Sequence, residues 1–130
     1  MSVEAAIVAH LKADSSLSAQ VGGRVFPSQL PQQATLPAIT YVRISRLATQ
    51  HRSNMRAKHH RSRIQFDIWA ASYASMQTVK SAFMDAMALL PQASNPRIDV
   101  ALIQDDRDNL DADTERQRAT IDYFVWHTGD

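Results

Sequence analysis

Apolar residues recur along the chain with two alternating periods, one typical of helices and one typical of strands. Near the start, apolar side chains at positions 3, 6, 7 and 11 share one face at helical spacing, and Ser2 precedes them as a cap. This pattern predicts a helix from about residue 2 to 13. A Ser-rich turn and the "VGG" at 21–23 are expected to close the segment.

A connector with prolines at positions 27, 31 and 37 follows, and proline removes a backbone donor. From Ala38 to about Leu47 the residues are β-branched or aromatic, which predicts a strand. After a charged stretch over 48–62, the sequence "RIQFDIWA" at 63–70 alternates strictly between apolar and polar residues. The two strands are predicted to form an antiparallel hairpin with a long tip.

The second half of the chain predicts one helix and two strands. Ser72 can cap a helix whose apolar stripe consists of residues 76, 79, 83, 86, 87 and 90, and Pro91 ends it. The sequences "RIDVALIQDD" (97–106) and "RATIDYFVWHT" (118–128) predict two more strands, joined by a polar acidic turn over 105–116. The predicted order α-β-β-α-β-β indicates an α+β fold, with one four-stranded, mostly antiparallel sheet and its helices packed on one face.

Composition sets the class of protein. A chain of 130 residues with 45% hydrophobic and 21% charged residues suits a single globular domain over 1–130. Cysteine is absent, so disulfides and thiolate chemistry are excluded. The apolar runs are short and the first residues include Glu4 and His10, so neither a membrane-spanning segment nor a signal peptide is expected.

Charge is unevenly distributed although the net charge is only +1. Residues 43–63 hold seven of the fourteen Arg and Lys, and residues 99–115 hold seven of the thirteen Asp and Glu. The first hairpin is therefore predicted to carry a basic tip and the second an acidic one. An isolated charge run is most often a solvated loop, and this interpretation stays open beside the functional ones.

Candidate catalytic and metal-binding patterns are weak. The sequence has no phosphate-binding loop and no G-x-S-x-G elbow, so an enzyme is not expected. His51, His59 and His60 lack the H-x3-H spacing of a metal pair, and the Asp cluster from 105 to 113 lacks the spacing of a calcium loop. We expect no metal and no cofactor.

Three stretches together resemble one known family. They are the Gly-x-Arg-Val-aromatic-Pro turn over residues 22–27, which includes Gly23, Arg24 and Pro27, the Leu36–Pro37 pair that opens the first strand, and "IQFDIWA" leading into an Ala- and Met-bearing helix. In this combination the chain resembles, over residues 3 to 126, the tail completion proteins of long-tailed bacteriophages and prophages. These proteins are also called tail terminator or tail-to-head joining proteins.

The resemblance implies a structural protein without catalytic residues. Such proteins form a ring, typically of six copies, on the head-proximal end of the tail tube, where they stop tube growth and dock onto the head connector. The implied partners are other copies of the chain, the tail tube protein and the head connector, in the host cytoplasm during assembly and then in the virion.

A ring needs unlike patches that meet between neighbouring copies. The two charged hairpins supply an unlike pair, and we expect them to form a subunit or partner interface. The basic residues are Arg52, Arg56, Lys58, Arg61 and Arg63, and the acidic residues are Asp105, Asp106, Asp108, Asp111 and Asp113.

Two other interpretations use the same basic residues. The tip could face the axial channel and touch passing DNA. Alternatively, the chain could be a small nucleic-acid-binding module that uses the tip at 51–63, with Trp69 as part of an aromatic platform.

Overall fold

The computed structural model describes residues 2–49, 59–90, 98–111 and 116–128. These residues form three helices and five strands. The helices are α1 (Val3–Ala13), α2 (Ser15–Val21) and α3 (Tyr73–Ala88). The strands are β1 (Val25–Pro27), β2 (Ala38–Thr49), β3 (His59–Ala70), β4 (Ile98–Asp111) and β5 (Arg116–Thr128).

The strands of the described residues form one mixed sheet in the order β1-β2-β3-β5-β4. The predicted hairpins are confirmed, because β2 pairs with β3 and β4 pairs with β5 in antiparallel register. Strand β5 lies between β3 and β4 and is antiparallel to both. The α+β class and the mostly antiparallel sheet are therefore confirmed, but the predicted count of four strands is wrong.

The fifth strand, β1, lies in the proline-containing connector. Val25–Pro27 pairs in parallel with Ile39–Tyr41 over three residues. A segment this short shows no alternation, and Pro27 removes a ladder donor, so periodicity could not reveal it.

Helix α2 was also missed, because the segment was interpreted as a Ser-rich turn. The side chain of Asp14 caps this helix by accepting a hydrogen bond of 2.9 Å from the Leu17 N–H. Buried Leu17 and Val21 lie four residues apart and supply its apolar contacts. The helix ends at Gly22, whose φ of 57° suits glycine.

The third predicted strand is confirmed as far as Asp106, but the predicted acidic turn is wrong over residues 107–111, which continue β4 to Asp111. The run of Asp suggested a solvated loop because charged residues are unfavourable in strands. In the structure Asp106 and Asp108 instead point towards Lys80 of α3. A cation on the helix thus lets the strand continue.

The predicted helix caps and apolar stripes are confirmed. Ser2 accepts a hydrogen bond from the Ala5 N–H at 3.2 Å, and Ser72 accepts one from the Ser75 N–H at 3.1 Å. The residues of the second predicted stripe are all buried. They are Met76, Val79, Phe83, Ala86 and Met87 of α3, and Leu90 just after its end.

All three helices contribute to one core on one face of the sheet. We call this the helix face and the opposite one the outer face. At the centre of the core, the rings of Phe66 (β3), Phe83 (α3) and Tyr123 (β5) lie 5.0 to 6.0 Å apart in tilted or edge-on contacts. None of the helices in the described ranges is long and apolar enough to span a membrane.

The contacts of Arg24 explain the arginine in the Gly-x-Arg-Val-aromatic-Pro turn. Its Nε donates to the Pro37 carbonyl at 3.0 Å, and its Nη2 donates to the Gln20 carbonyl at 3.1 Å. The guanidinium therefore ties the end of α2 to the start of β2. Gly23, with φ of 80°, makes the turn that brings Arg24 to this position.

Burial of Tyr123, and secondarily the nearby charge of Asp106, raises the pKa of the Tyr123 phenol to about 12. The folded state therefore favours the protonated phenol. Its contribution to stability is present below pH 10 and is lost as the pH rises from 10 to 12.

The free energy of unfolding of the unmodified chain should fall across this pH range because the buried Tyr123 phenol has to ionise. We predict that this fall is about 2 kcal/mol smaller in the Tyr123→Phe variant, which has no phenol at this position. Urea denaturation at pH 9 and pH 11.5 measures the effect. Tyr73→Phe, at an exposed tyrosine, is the matched control. An equal loss of stability in the Tyr123→Phe variant and the unmodified chain would contradict the prediction.

Candidate assembly interface

The two edges of the sheet are open over part of their length. On one side, β1 pairs with β2 only at Ile39–Tyr41. Beyond Tyr41, no strand of the described residues pairs with that side of β2. At the other edge of the sheet, β4 pairs with β5 and with no other strand of the described residues. Open edges are places where a strand of another molecule can add.

Exposed apolar side chains collect at these two edges. Among the described residues, seven large apolar side chains are exposed, and five of them belong to β2 or β4. On β2 they are Val42, Ile44 and Leu47, and on β4 they are Leu102 and Ile103. Leu47 and Leu102 are the most exposed of these, at 55% and 53%.

Sequence analysis missed this group, although β4 carried a signal for it. Its residues 100–103 read "VALI", four apolar residues in succession. In a strand covered on one face only, every second residue should be polar. An unbroken apolar run on such a strand indicates that another surface contributes to its burial.

The outer face carries aromatic side chains that already have partners in the chain. The Arg61 guanidinium lies 4.6 Å from the ring centroid of Phe124, which contacts Trp126 at 6.0 Å. Trp69 donates its Nε1–H to Thr40 Oγ1 at 3.1 Å, and Arg118 lies 5.3 Å from the Trp69 ring centroid.

Trp69 stands at the opposite end of β3 from His59 and pairs with Ala38 at the start of β2. The nucleic-acid interpretation uses this tryptophan as one part of an aromatic platform near the basic residues. Among the basic residues that the structure describes, Arg61 contacts the ring of Phe124 rather than that of Trp69.

Arg63 has a structural partner. Its Nη2 lies 2.8 Å from Asp122 Oδ2, and the Asp122 side chain is only 1% exposed. Since a buried carboxylate without a cation is costly, Arg63 is required to keep Asp122 in the sheet. It is therefore less available to a partner than the sequence pattern suggested.

Three of the five acidic candidates also have partners within the chain. Lys80 Nζ lies 2.6 Å from Asp106 Oδ1 and 3.0 Å from Asp108 Oδ1. Burial lowers the pKa of Lys80, but hydrogen bonds and charge from the two carboxylates outweigh it and raise that pKa overall. Asp105 Oδ2 lies 3.0 Å from Arg107 Nε.

The other candidates fall at the hairpin ends. Arg52, Arg56, Lys58 and Asp113 lie outside the described residues, and Asp111 is described only as the end of β4. The ends themselves are well separated: His59 pairs with Thr128 at one end of the sheet, and Asp111 pairs with Arg116 at the other. At about 3.3 Å per residue, the length of β3 places the two ends roughly 35 Å apart.

The histidines considered as metal ligands show no such arrangement in the residues described. His51 and the side chain of His59 lie outside them. His60 stacks on His127 with ring centroids 5.6 Å apart, and His127 Nε2 lies 2.8 Å from Ser62 Oγ. Across the described ranges, no group of three or more potential metal ligands comes together.

We predict that Arg63→Met lowers the free energy of unfolding by about 2 to 3 kcal/mol, because Asp122 is left buried without its cation. Arg61→Met is the control on the same strand and face, and it should cost less than about 1 kcal/mol because only the contact with the Phe124 ring is lost. Chemical denaturation at neutral pH gives both values. If the two variants were equally stable, the structural role of Arg63 would be refuted.

Comparison with known proteins adds to this geometry. The family model described as tail completion protein gp17 matches residues 5–128. A chain in the solved structure of the virion of a native gene transfer agent particle superposes with a TM-score of 0.77 at 16% sequence identity. The superposition covers 98% of this chain and 95% of that one, which shows a shared fold. The search of curated proteins finds no match.

Proposed function

Because the chain belongs to the tail completion protein gp17 family, we propose that it forms a ring at the head-proximal end of a phage tail, ends tail growth there and joins the tail to the head. The family is a structural one, and membership in it confirms the prediction that the chain is not an enzyme. The family match over nearly the whole chain is the observation that carries the proposal.

The geometry of the sheet supports a ring. A closed ring of identical copies needs two different surfaces on each copy, one for each neighbour. The described part of the chain has two open edges with different surroundings, one at β2 and one at β4. We take six as the number of copies, following the resemblance noted in the sequence.

The charged hairpin ends belong to a second set of contacts. We place the strands along the axis of the ring, so that the basic ends of all copies lie on one face of the ring and the acidic ends on the other. Side-by-side neighbours then cannot bring the two ends together, because these ends lie roughly 35 Å apart along the strands. The tail tube protein and the head connector are the partners that meet the two faces.

Two kinds of charge contribute differently to these contacts. Arg63, Asp105, Asp106 and Asp108 are paired within the chain, and Arg61 lies against Phe124. The residues assigned to partner contacts are therefore Arg52, Arg56, Lys58, Asp111 and Asp113. Exposed ion pairs contribute only about 0 to 1 kcal/mol each, so these residues set orientation more than affinity.

Deletion of the gene from its parent phage or prophage tests the proposal. Electron microscopy of the lysate should show filled heads separate from tails, with many tails longer than normal, because nothing stops tube growth or bridges the two parts. The complemented strain should show joined particles. Joined particles of normal tail length without the gene would refute the proposed function.

Charge reversal at the two hairpin ends tests the partner contacts. We predict that Arg56→Glu with Lys58→Glu, and separately Asp111→Lys with Asp113→Lys, both block joining. In one of these two double variants the protein should still be found on purified tails, and in the other it should be lost from them, since each end of the sheet meets a different partner. Immunoblots of purified tails measure this difference.

The combined four-residue reversal is the control. Joining restored by that variant would contradict the two-partner assignment and would instead place the basic and acidic ends of neighbouring copies against each other. Joined particles that lose their DNA would instead place the basic end in the channel.

A further inference from the structure

We propose that neighbouring copies are joined by backbone pairing between their sheet edges, with residues 45–47 of β2 in one copy pairing with residues 100–102 of β4 in the next. This inference rests on the ring proposed above and specifies the contact that builds it. The partner surface is thus a second copy of this chain, and the sheet continues from subunit to subunit around the ring.

The two segments lie at the same height on the sheet. Following the register across the strands, Leu47 is opposite Arg61, Arg61 is opposite Trp126, and Trp126 is opposite Val100. One step along, Ser45 leads in the same way through Arg63 and Phe124 to Leu102. A rotation about an axis parallel to the strands therefore brings the β2 edge of one copy level with the β4 edge of its neighbour.

The strand directions also fit. Strand β2 is antiparallel to β3, β3 to β5, and β5 to β4. After three reversals β2 and β4 run in opposite directions, so their pairing across the junction is antiparallel. This is the more stable type of ladder per residue.

The side chains at the two edges match. Leu47, Val100 and Leu102 all point to the outer face, as do their cross-strand partners. Residues opposite or diagonal to each other on neighbouring strands are within contact distance. The most exposed apolar residues of the two edges, Leu47 and Leu102, would therefore cover each other across the junction.

Irregularities on both strands set the limits of the pairing. The register of β2 shifts between Arg43 and Ser45, and that of β4 shifts between Ile98 and Val100 and again between Ile103 and Asp105. Such bulges interrupt a ladder. Strand β1 occupies the edge of β2 as far as Tyr41. The segment free to pair is thus the half of each edge near the β2–β3 connection.

Charge favours this pairing over self-pairing of like edges. Strand β2 contains two arginines and no acidic residue, whereas β4 contains five aspartates and one arginine. Arg43 is paired with Glu4, and Asp105, Asp106 and Asp108 are paired within the chain. The difference in sign between the two edges therefore favours β2 beside β4 over β4 beside β4 as a matter of orientation more than of affinity. Within β4, the aspartates flank residues 100–103, which are uncharged.

Cysteine cross-linking tests the junction directly, because the chain contains no cysteine. We predict that Leu47→Cys combined with Val100→Cys, or with Leu102→Cys if the register is displaced by two residues, gives covalent multimers of tail-bound protein. Non-reducing gel electrophoresis of purified tails after mild oxidation should show a ladder ending at the ring size. Within one chain β2 and β4 are three strand spacings apart, about 14 Å, so no internal disulfide can form.

Matched controls separate this contact from chance collisions. Each single-cysteine variant, and Leu47→Cys combined with Tyr73→Cys at an exposed site on α3, should remain monomeric on the same gel. A ladder from this control pair equal to that of the edge pairs would overturn the inference.

The inference and the proposed function can fail separately. If the cysteine variants join heads to tails under reducing conditions and neither edge pair gives multimers on oxidation, the edge pairing is wrong and the joining role stands. If particles join normally without the gene, the joining role is wrong and the ring contact fails with it.

Discussion

The arrangement of the molecule depends on one constraint: within the ranges that the structure describes, the helices cover a single face of the sheet and leave part of each edge open. Packing of α1, α2 and α3 on the helix face buries the alternate apolar residues of β3 and β5. Exposed apolar side chains remain on β2 and β4. Backbone groups on an open edge can pair with another strand, so the fold of one copy leaves a surface suited to the next.

Charge has two separate roles in this fold. Some charged side chains stabilise the single chain: Arg63 neutralises buried Asp122, and Lys80 holds the aspartates that would otherwise disfavour β4. The charges at the hairpin ends form a second group, which we assign to different partners. The adaptor role proposed above needs two unlike faces, and the two hairpins point to opposite ends of the strands.

Much of the fold could be predicted from the sequence, since α1, α3 and the strands of both hairpins follow clear apolar periods and cap residues. Short elements could not: β1 has three residues and no alternation, and α2 depends on two apolar residues and the Asp14 cap. The extent of β4 depends on Lys80, which lies far from it in sequence. For the candidate site, charge clustering indicated the hairpin ends, but only the register shows that Leu47 and Val100 occupy opposite edges at one height.

The central claim is that copies of this chain form a ring at the head-proximal end of the tail, with a sheet that continues between neighbours. Cryo-electron microscopy of the ends of tails purified from a strain that lacks heads tests it most directly. The account predicts a closed ring in which β2 of each copy lies beside β4 of the next and the strands run along the ring axis. Tail ends that lack this protein, or a ring whose neighbours contact through other surfaces, would contradict it.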